Sequence, residues 1–212
     1  MECKNIIFDL DGTLWDSRRS LIANWNEVLA RFELIEKPLE LDDLTAYMGH
    51  LPKDILKELF PEISPKTIDQ ILIEIAETEN KSLRKHGGVL YENIEETLRE
   101  LALKYDLYIV SNCQDGYIES FLAYFGFEKL FKDFESHGRT GNSKMENIQS
   151  VMKRNSMHPD ETVYIGDTHL DYTSATENGL DFVFCSYGFG EMEETEVKTI
   201  NNPAELFVIL KY

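Results

Sequence analysis

The chain has 212 residues, 42% of them apolar and 28% charged, enough for one large globular domain or a core with a smaller second unit. Its net charge of -18 disfavours nucleic acid and anionic membrane surfaces, which require a basic face. No apolar run approaches the ~20 residues of a membrane span, and the opening MECKNIIFDL lacks the basic start and apolar stretch of a signal peptide, so a cytoplasmic location is expected.

In chain order, NIIF (5–8) reads as a short buried strand that runs straight into DLDGT, with Asp9 and Asp11 side by side. Two like charges at a strand exit call for a cation between them or a proton on one. Asp16 or Ser17 is expected to cap a helix carrying Leu21, Ile22, Trp25, Val28, Leu29 and Phe32 on one stripe. Further helices are expected over 40–48 and 53–60. Another starts at Ser64-Pro65, with Ile68, Ile71, Leu72, Ile75, Ser82 and Leu83 on its face. Residues 16–86 therefore read as all helix, with no strand.

After Gly87-Gly88 the pattern alternates. Residues 93–105 read as helix, LYIV (107–110) as strand and 115–125 as helix with Gly126 as its C-terminal cap. A short strand is expected near Phe134, a helix from Ser143 to about 155, strands TVYI (162–165) and DFVF (181–184) around another helix, and a last helix opened by Pro203. Alternating strands and helices imply a doubly wound, parallel-sheet α/β core of Rossmann type, covered on both faces. The expected division is a catalytic core of 1–14 and 88–212, with an all-helical cap of 15–87 inserted after the first strand.

In such sheets ligands bind at the carboxyl ends of the strands. Those ends carry Asp9, Asp11, Gly12 and Thr13, then Ser111 and Asn112, then Asp167 and Asp171, while Lys144 opens a helix nearby. Hard carboxylate oxygens suit Mg²⁺, which relies on one or two carboxylates and keeps waters. Asp9, Asp11, Asp167 and Asp171 form the candidate metal set. In it Asp11 contributes a backbone carbonyl, and Asp171 holds either a metal-bound water or Lys144. The Asp11 carboxyl is then free to carry a proton, raised toward a useful acid/base pKa by burial beside other acids. Gly12 lets the backbone turn so that its N–H approaches a ligand. Thr13, Ser111 and the Asn112 amide are expected to meet phosphate oxygens, and Lys144 to neutralise developing charge.

Cys3, Cys113 and Cys185 are scattered, without a CxxC pair, and read as reduced buried thiols. Five dispersed histidines make a zinc site unexpected. Gly188-Phe189-Gly190 is a lone GxG and reads as a loop device.

DLDGT at 9–13, SN at 111–112, Lys144 and GDTHLD at 166–171 occur together in this order. In them the sequence resembles the haloacid dehalogenase superfamily, specifically its phosphoglycolate phosphatase-like group with a helical cap. The resemblance implies a Mg²⁺-dependent phosphatase acting on a small phosphorylated metabolite, with Asp9 as nucleophile forming an aspartyl phosphate and Asp11 as acid, then base. It implies that His50 and Lys53, in the cap, face the site and select the substrate. A monomer or weak dimer is expected. Alternatives on the same fold are a phosphoglucomutase-like phosphotransferase, a phosphonate hydrolase using Lys53 as a Schiff base, and a pyrophosphatase. A signalling receiver domain needs no inserted cap, and a catalytically dead partner-binding protein needs no intact acid set. Trp15 stands where this family often has a small aliphatic residue, and is expected to narrow the pocket or pack against the cap.

Overall fold

The computed structural model describes residues 3–194 and 196–210. Its centre is a six-stranded parallel sheet in the order β5-β4-β1-β6-β7-β8. The strands are β1 (Asn5–Phe8), β4 (Asp106–Ser111), β5 (Phe131–Ser136), β6 (Thr162–Gly166), β7 (Asp181–Cys185) and β8 (Lys198–Ile200). Strand alternation splits the core in two. Ile6, Phe8, Leu107 and Ile109 face α5 (Ile94–Leu101) and α6 (Tyr117–Phe125). Ile7, Tyr108 and Val110 pack with Ile148, Val151 and Ala175 of α8 (Lys144–Arg154) and α9 (His169–Glu177), which follow the one-turn helix α7 (His137–Thr140). Burial on both faces explains why these strands read as unbroken apolar runs.

Between β1 and β4 lies the helical cap, made of α1 (Arg18–Arg31), α2 (Leu41–Thr45), α3 (Pro52–Leu59) and α4 (Pro65–His86). It has its own core, with Trp25, Val28 and Leu29 of α1 meeting Leu56 of α3 and Ile71 and Ile75 of α4. The long α4 starts as its sequence suggests, with the Ser64 hydroxyl accepting the Thr67 N–H at 3.1 Å and proline in the first turn. It also docks the cap. Asn80 Nδ2 donates to the Asp115 carbonyl at 2.8 Å, and Arg84 Nε to Ser120 Oγ at 3.3 Å.

The two chain crossings between core and cap pair with each other. The short strands β2 (Trp15–Asp16) and β3 (Val89–Leu90) form an antiparallel ribbon at the two ends of the stretch 16–86 that is expected to be all helix, and of that stretch only Asp16 is in a strand. Trp15 is fully buried in the cluster that joins the core helix α6 with Leu83 of the cap helix α4. Its ring lies edge-on to Tyr117, Phe121 and Phe125 at 5.8, 5.0 and 6.1 Å. The bulk of Trp15 thus ties the ribbon to the core. Among the described residues, no helix is long and apolar enough to cross a membrane.

Candidate active site

Parallel register brings the chemistry together. Phe8 is paired with Ile109 on one side and Ile165 on the other, so Asp9, Ser111 and Asp167 leave three adjacent strands at one rim. The Asp9 N–H still belongs to the sheet, donating to the Ile165 carbonyl at 2.8 Å. Lys144 joins from the first turn of α8, which is fixed by a capping box between Ser143 and Glu146.

Lys144 Nζ donates to Asp9 Oδ1 at 2.8 Å and to Asp171 Oδ1 at 2.6 Å, with all three side chains buried. Burial alone would lower the lysine pKa, but the Asp171 and Asp9 carboxylates outweigh it and hold the ammonium charged. Asp9 is pushed upward by burial and by the charges of Asp171 and Asp167, with Lys144 opposing. Asp167 is raised to about 7, by burial first and then by Asp171. Asp9, Asp167 and Asp171 each offer an oxygen within 4.8 Å of the others. Three buried carboxylates with one ammonium leave the cluster anionic, which fits a hard dication.

The members of that cluster are not equivalent. Asp171 is fully engaged, with Oδ1 taking Lys144 and the Tyr164 hydroxyl (3.3 Å). Its Oδ2 accepts the Asp167 and Thr168 N–H groups and the Thr168 hydroxyl at 3.2, 3.0 and 2.7 Å. The geometry therefore gives Asp171 the task of holding Lys144. Asp167 keeps more capacity, accepting Thr13 Oγ1 at 3.2 Å on Oδ1 and the Phe189 N–H at 2.8 Å on Oδ2.

Asp11 turns away from this cluster. Its Oδ1 accepts the Ser17 hydroxyl and, at 2.8 Å, the Tyr117 hydroxyl. Burial raises its carboxyl to about 6, and those two donors restrain the rise. The Ser17 hydroxyl, expected to cap α1, makes no capping bond because it is committed to Asp11.

Other residues depart from the sequence expectation in detail. Gly12 does adopt a left-handed φ of +88°, but its N–H donates to the Trp15 carbonyl at 3.0 Å and so closes a turn instead of meeting a ligand. A Cβ on Gly12 would fall 2.1 Å from Asp167 Oδ2, so the glycine makes room for that carboxylate. Thr13 is buried on Asp167, which makes it a positioning residue. Ser111 and Asn112 line the cavity between cap and core, together with Asp9, Asp11 and His50. The Asn112 side-chain amide donates to the Gly49 carbonyl of the cap at 3.0 Å, which ties the cap to the rim of the sheet. Lys53 is not brought to Asp9. It pairs with Asp69 at 3.0 Å and lines a neighbouring cavity.

Sequence reasoning missed Tyr117 and Phe189. Tyr117 passed for one more apolar residue on its helix. The Phe189 contribution is a backbone N–H, signalled only by its flanking glycines. It also missed Glu79, a buried acid of the cap helix α4 on the wall of the same cavity. The signal was available, because Glu79 lies four residues from both Ile75 and Leu83 on the inward stripe.

A family model for haloacid dehalogenase-like hydrolases matches residues 6–185. The chain belongs to the haloacid dehalogenase-like hydrolases. It is 28% identical over 206 residues to a phosphoglycolate phosphatase of Haemophilus influenzae, covering 88% of this chain and 87% of that one. It is 25% identical over 179 residues to a pyrophosphatase of Oceanobacillus iheyensis, covering 82% and 79%. A haloacid dehalogenase-like family hydrolase from Streptococcus pneumoniae superposes with a TM-score of 0.83 at 20% identity, covering 98% of each chain, a likeness of fold alone. In this haloacid dehalogenase-like hydrolase the acidic cluster and Lys144 gather at the carboxyl-end rim of the parallel sheet, Lys144 coming from the first turn of α8.

Proposed function

We propose that this hydrolase is a Mg²⁺-dependent phosphatase acting on a small phosphorylated metabolite through an aspartyl phosphate on Asp9. The observation that carries the reading is the divergence of the two acids of DLDGT. Asp9 lies in the anionic cluster against Lys144, while Asp11 is held apart on Ser17 and Tyr117 with its carboxyl raised to about 6. One acid is thus suited to nucleophilic attack and the other to carrying a proton.

Asp9 and Asp167 are the residues that would hold Mg²⁺. When bound, the metal supplies Lewis-acid neutralisation of phosphoryl oxygens and of the carboxylates around it. A carboxylate oxygen of Asp9 attacks phosphorus, and the bond from phosphorus to the leaving oxygen breaks. Asp11 gives its proton to that oxygen, so an alcohol departs. Asp11, now a carboxylate, takes a proton from water as the water oxygen attacks phosphorus, and the Asp9–phosphorus bond breaks to return the enzyme and inorganic phosphate. Lys144 and Ser111 offset charge on the phosphoryl oxygens. Asp171 keeps Lys144 directed at Asp9.

The test is release of inorganic phosphate from p-nitrophenyl phosphate and from a panel of phosphomonoesters, phosphonates and pyrophosphate, with Mg²⁺ and with chelator. Hydrolysis is expected with Mg²⁺ only. Asp9→Asn is expected to abolish it while leaving the fold intact, and Asp11→Ala to cripple the rate without removing metal binding. Substantial turnover by Asp9→Asn would refute the nucleophile. The surface pairing of Lys53 favours this reading over a phosphonate hydrolase that needs a lysine Schiff base.

A further inference from the structure

Opposite Asp9 and Asp11, the cavity of about 70 Å³ is walled by the cap. Trp25, Leu44, Met48 and Ile55 make its far wall apolar, and among the described residues His50 is its only basic side chain. One acid interrupts that wall. Glu79 is 2% exposed, with Oε1 accepting the Trp25 indole N–H at 2.9 Å and Oε2 accepting Gln114 Nε2. It occupies a position on α4 where Ile68, Ile71, Ile75 and Leu83 otherwise supply packing. A hydrocarbon there would fill the stripe without desolvating a carboxyl. Burial pushes this carboxyl up to about 8, against the pull of Gln114 and Trp25.

A leaving group bound between Asp11 and this wall meets no lysine or arginine among the described residues that line the cavity. A second anion on the substrate would be desolvated beside Asp11 and Glu79 without a strong cation to pair it. An ammonium or hydroxyl would instead find a carboxyl oxygen of Glu79 at the end of an apolar slot, since even the protonated carboxyl keeps free acceptor lone pairs beyond those that Trp25 and Gln114 use. Building on the phosphatase reading, we propose that Glu79 sets leaving-group specificity. The site takes short phosphate esters whose leaving group is uncharged or cationic and ends in a hydrogen-bond donor, and it rejects those ending in a carboxylate or second phosphate. This separates the chain from the activities for which its phosphoglycolate phosphatase and pyrophosphatase relatives are named, since either substrate would bring a second anion into the slot.

The experiment compares three size-matched esters on the full chain with Mg²⁺: 2-aminoethyl phosphate, 2-hydroxyethyl phosphate and phosphoglycolate, with p-nitrophenyl phosphate as a general reporter. The expected result is a kcat/KM for the first two at least on the order of tenfold above that for phosphoglycolate. Glu79→Gln, and Glu79→Met as a second variant, should shrink that ratio toward one, largely through KM. A residue that merely braced the cap would lower all three esters together. Phosphoglycolate as the best ester of the native chain, or an unchanged ratio in a folded variant, would overturn the specificity assignment while leaving the phosphatase standing. Failure to hydrolyse any ester, including p-nitrophenyl phosphate, would overturn both.

Discussion

The Tyr117 hydroxyl donates to Asp11 Oδ1 at 2.8 Å, from a core helix that also packs the ribbon residue Trp15. A donor to the charged form of a carboxyl stabilises that form and lowers its pKa. Removing it must therefore move Asp11 further above about 6. If Asp11 has to be protonated to release the alcohol, kcat/KM falls as pH rises through its pKa. Tyr117→Phe, which keeps the ring, is expected to shift that descending limb upward by about 0.5–1 pH unit, the equivalent of one hydrogen bond. The pH profile of kcat/KM for p-nitrophenyl phosphate checks this.

Asp167 is shaped by the loop after β7 as much as by its own strand. The Phe189 N–H binds its Oδ2 at 2.8 Å, and a Cβ on Gly188 would stand 2.3 Å from the Asp167 Cβ. Gly188→Ala must displace the carboxylate or the loop. Since Asp167 is a proposed metal ligand, the Mg²⁺ concentration for half-maximal activity is expected to rise about 10–100-fold, in the range seen when groups that orient a ligand are disturbed. A metal titration of turnover measures it, and an unchanged midpoint would argue against Asp167 as a ligand.

Glu79 gives a stability signature independent of catalysis. Its folded carboxyl is raised to about 8 from an ordinary 4.5. Between those values the native state keeps a proton that the unfolded chain has lost, so this group's contribution is full below about pH 4.5 and is lost as pH rises toward 8. Glu79→Gln removes the titration while Gln114 can turn its amide to suit the new donor. The variant should gain stability relative to the native chain on going from pH 5 to pH 8, by about 2–4 kcal/mol. Urea unfolding at the two pH values reads the difference directly, and a constant offset would mean that Glu79 ionises normally.

The legible parts of the sequence were those with a repeating physical cause. LYIV and TVYI are apolar on both faces because helices cover both sides of the sheet, and Ser143 announced the start of α8, which the structure completes with a capping box to Glu146. What stayed hidden had no period to show. The ribbon of Trp15–Asp16 with Val89–Leu90 and the strand Lys198–Ile200 are too short for alternation to register. At the site, residue types announced a metal and a phosphoryl group, but not which atom does what. Whether the Gly12 N–H meets a ligand or the Trp15 carbonyl depends on one turn. Whether Asp171 binds metal or Lys144 depends on which of its oxygens are already taken. Glu79 was passed over because a lone acid on a cap helix normally faces water, and only the positions of Ile75 and Leu83 contradict that.

Lys144 is the one cation inside the acidic cluster among the described residues, 2.8 Å from Asp9 and 2.6 Å from Asp171. Lys144→Met keeps the length of the stem and deletes the charge, leaving Asp9, Asp167 and Asp171 within 4.8 Å of one another and unpaired. Breaking a buried pair by removing one partner costs about 3–5 kcal/mol. That loss is expected in chelator at pH 7.5. Asp9, already pushed up by burial, rises further without the ammonium, so it binds a proton in the native state at pH values where the unfolded chain does not. Stability of the variant should then fall as pH rises from about 5, and the deficit against the native chain should be smaller at pH 5 than at pH 7.5. Turnover should drop by about 10²-fold or more, because charge on the phosphoryl oxygens loses its fixed partner. Asp171→Asn retains the lysine and loosens only its tether, so its rate should lie between the native chain and Lys144→Met. Thermal melts at both pH values, together with phosphate-release rates for the two variants, test the arrangement. A Lys144→Met enzyme as stable as the native chain in chelator would show that the cluster does not depend on this ion pair.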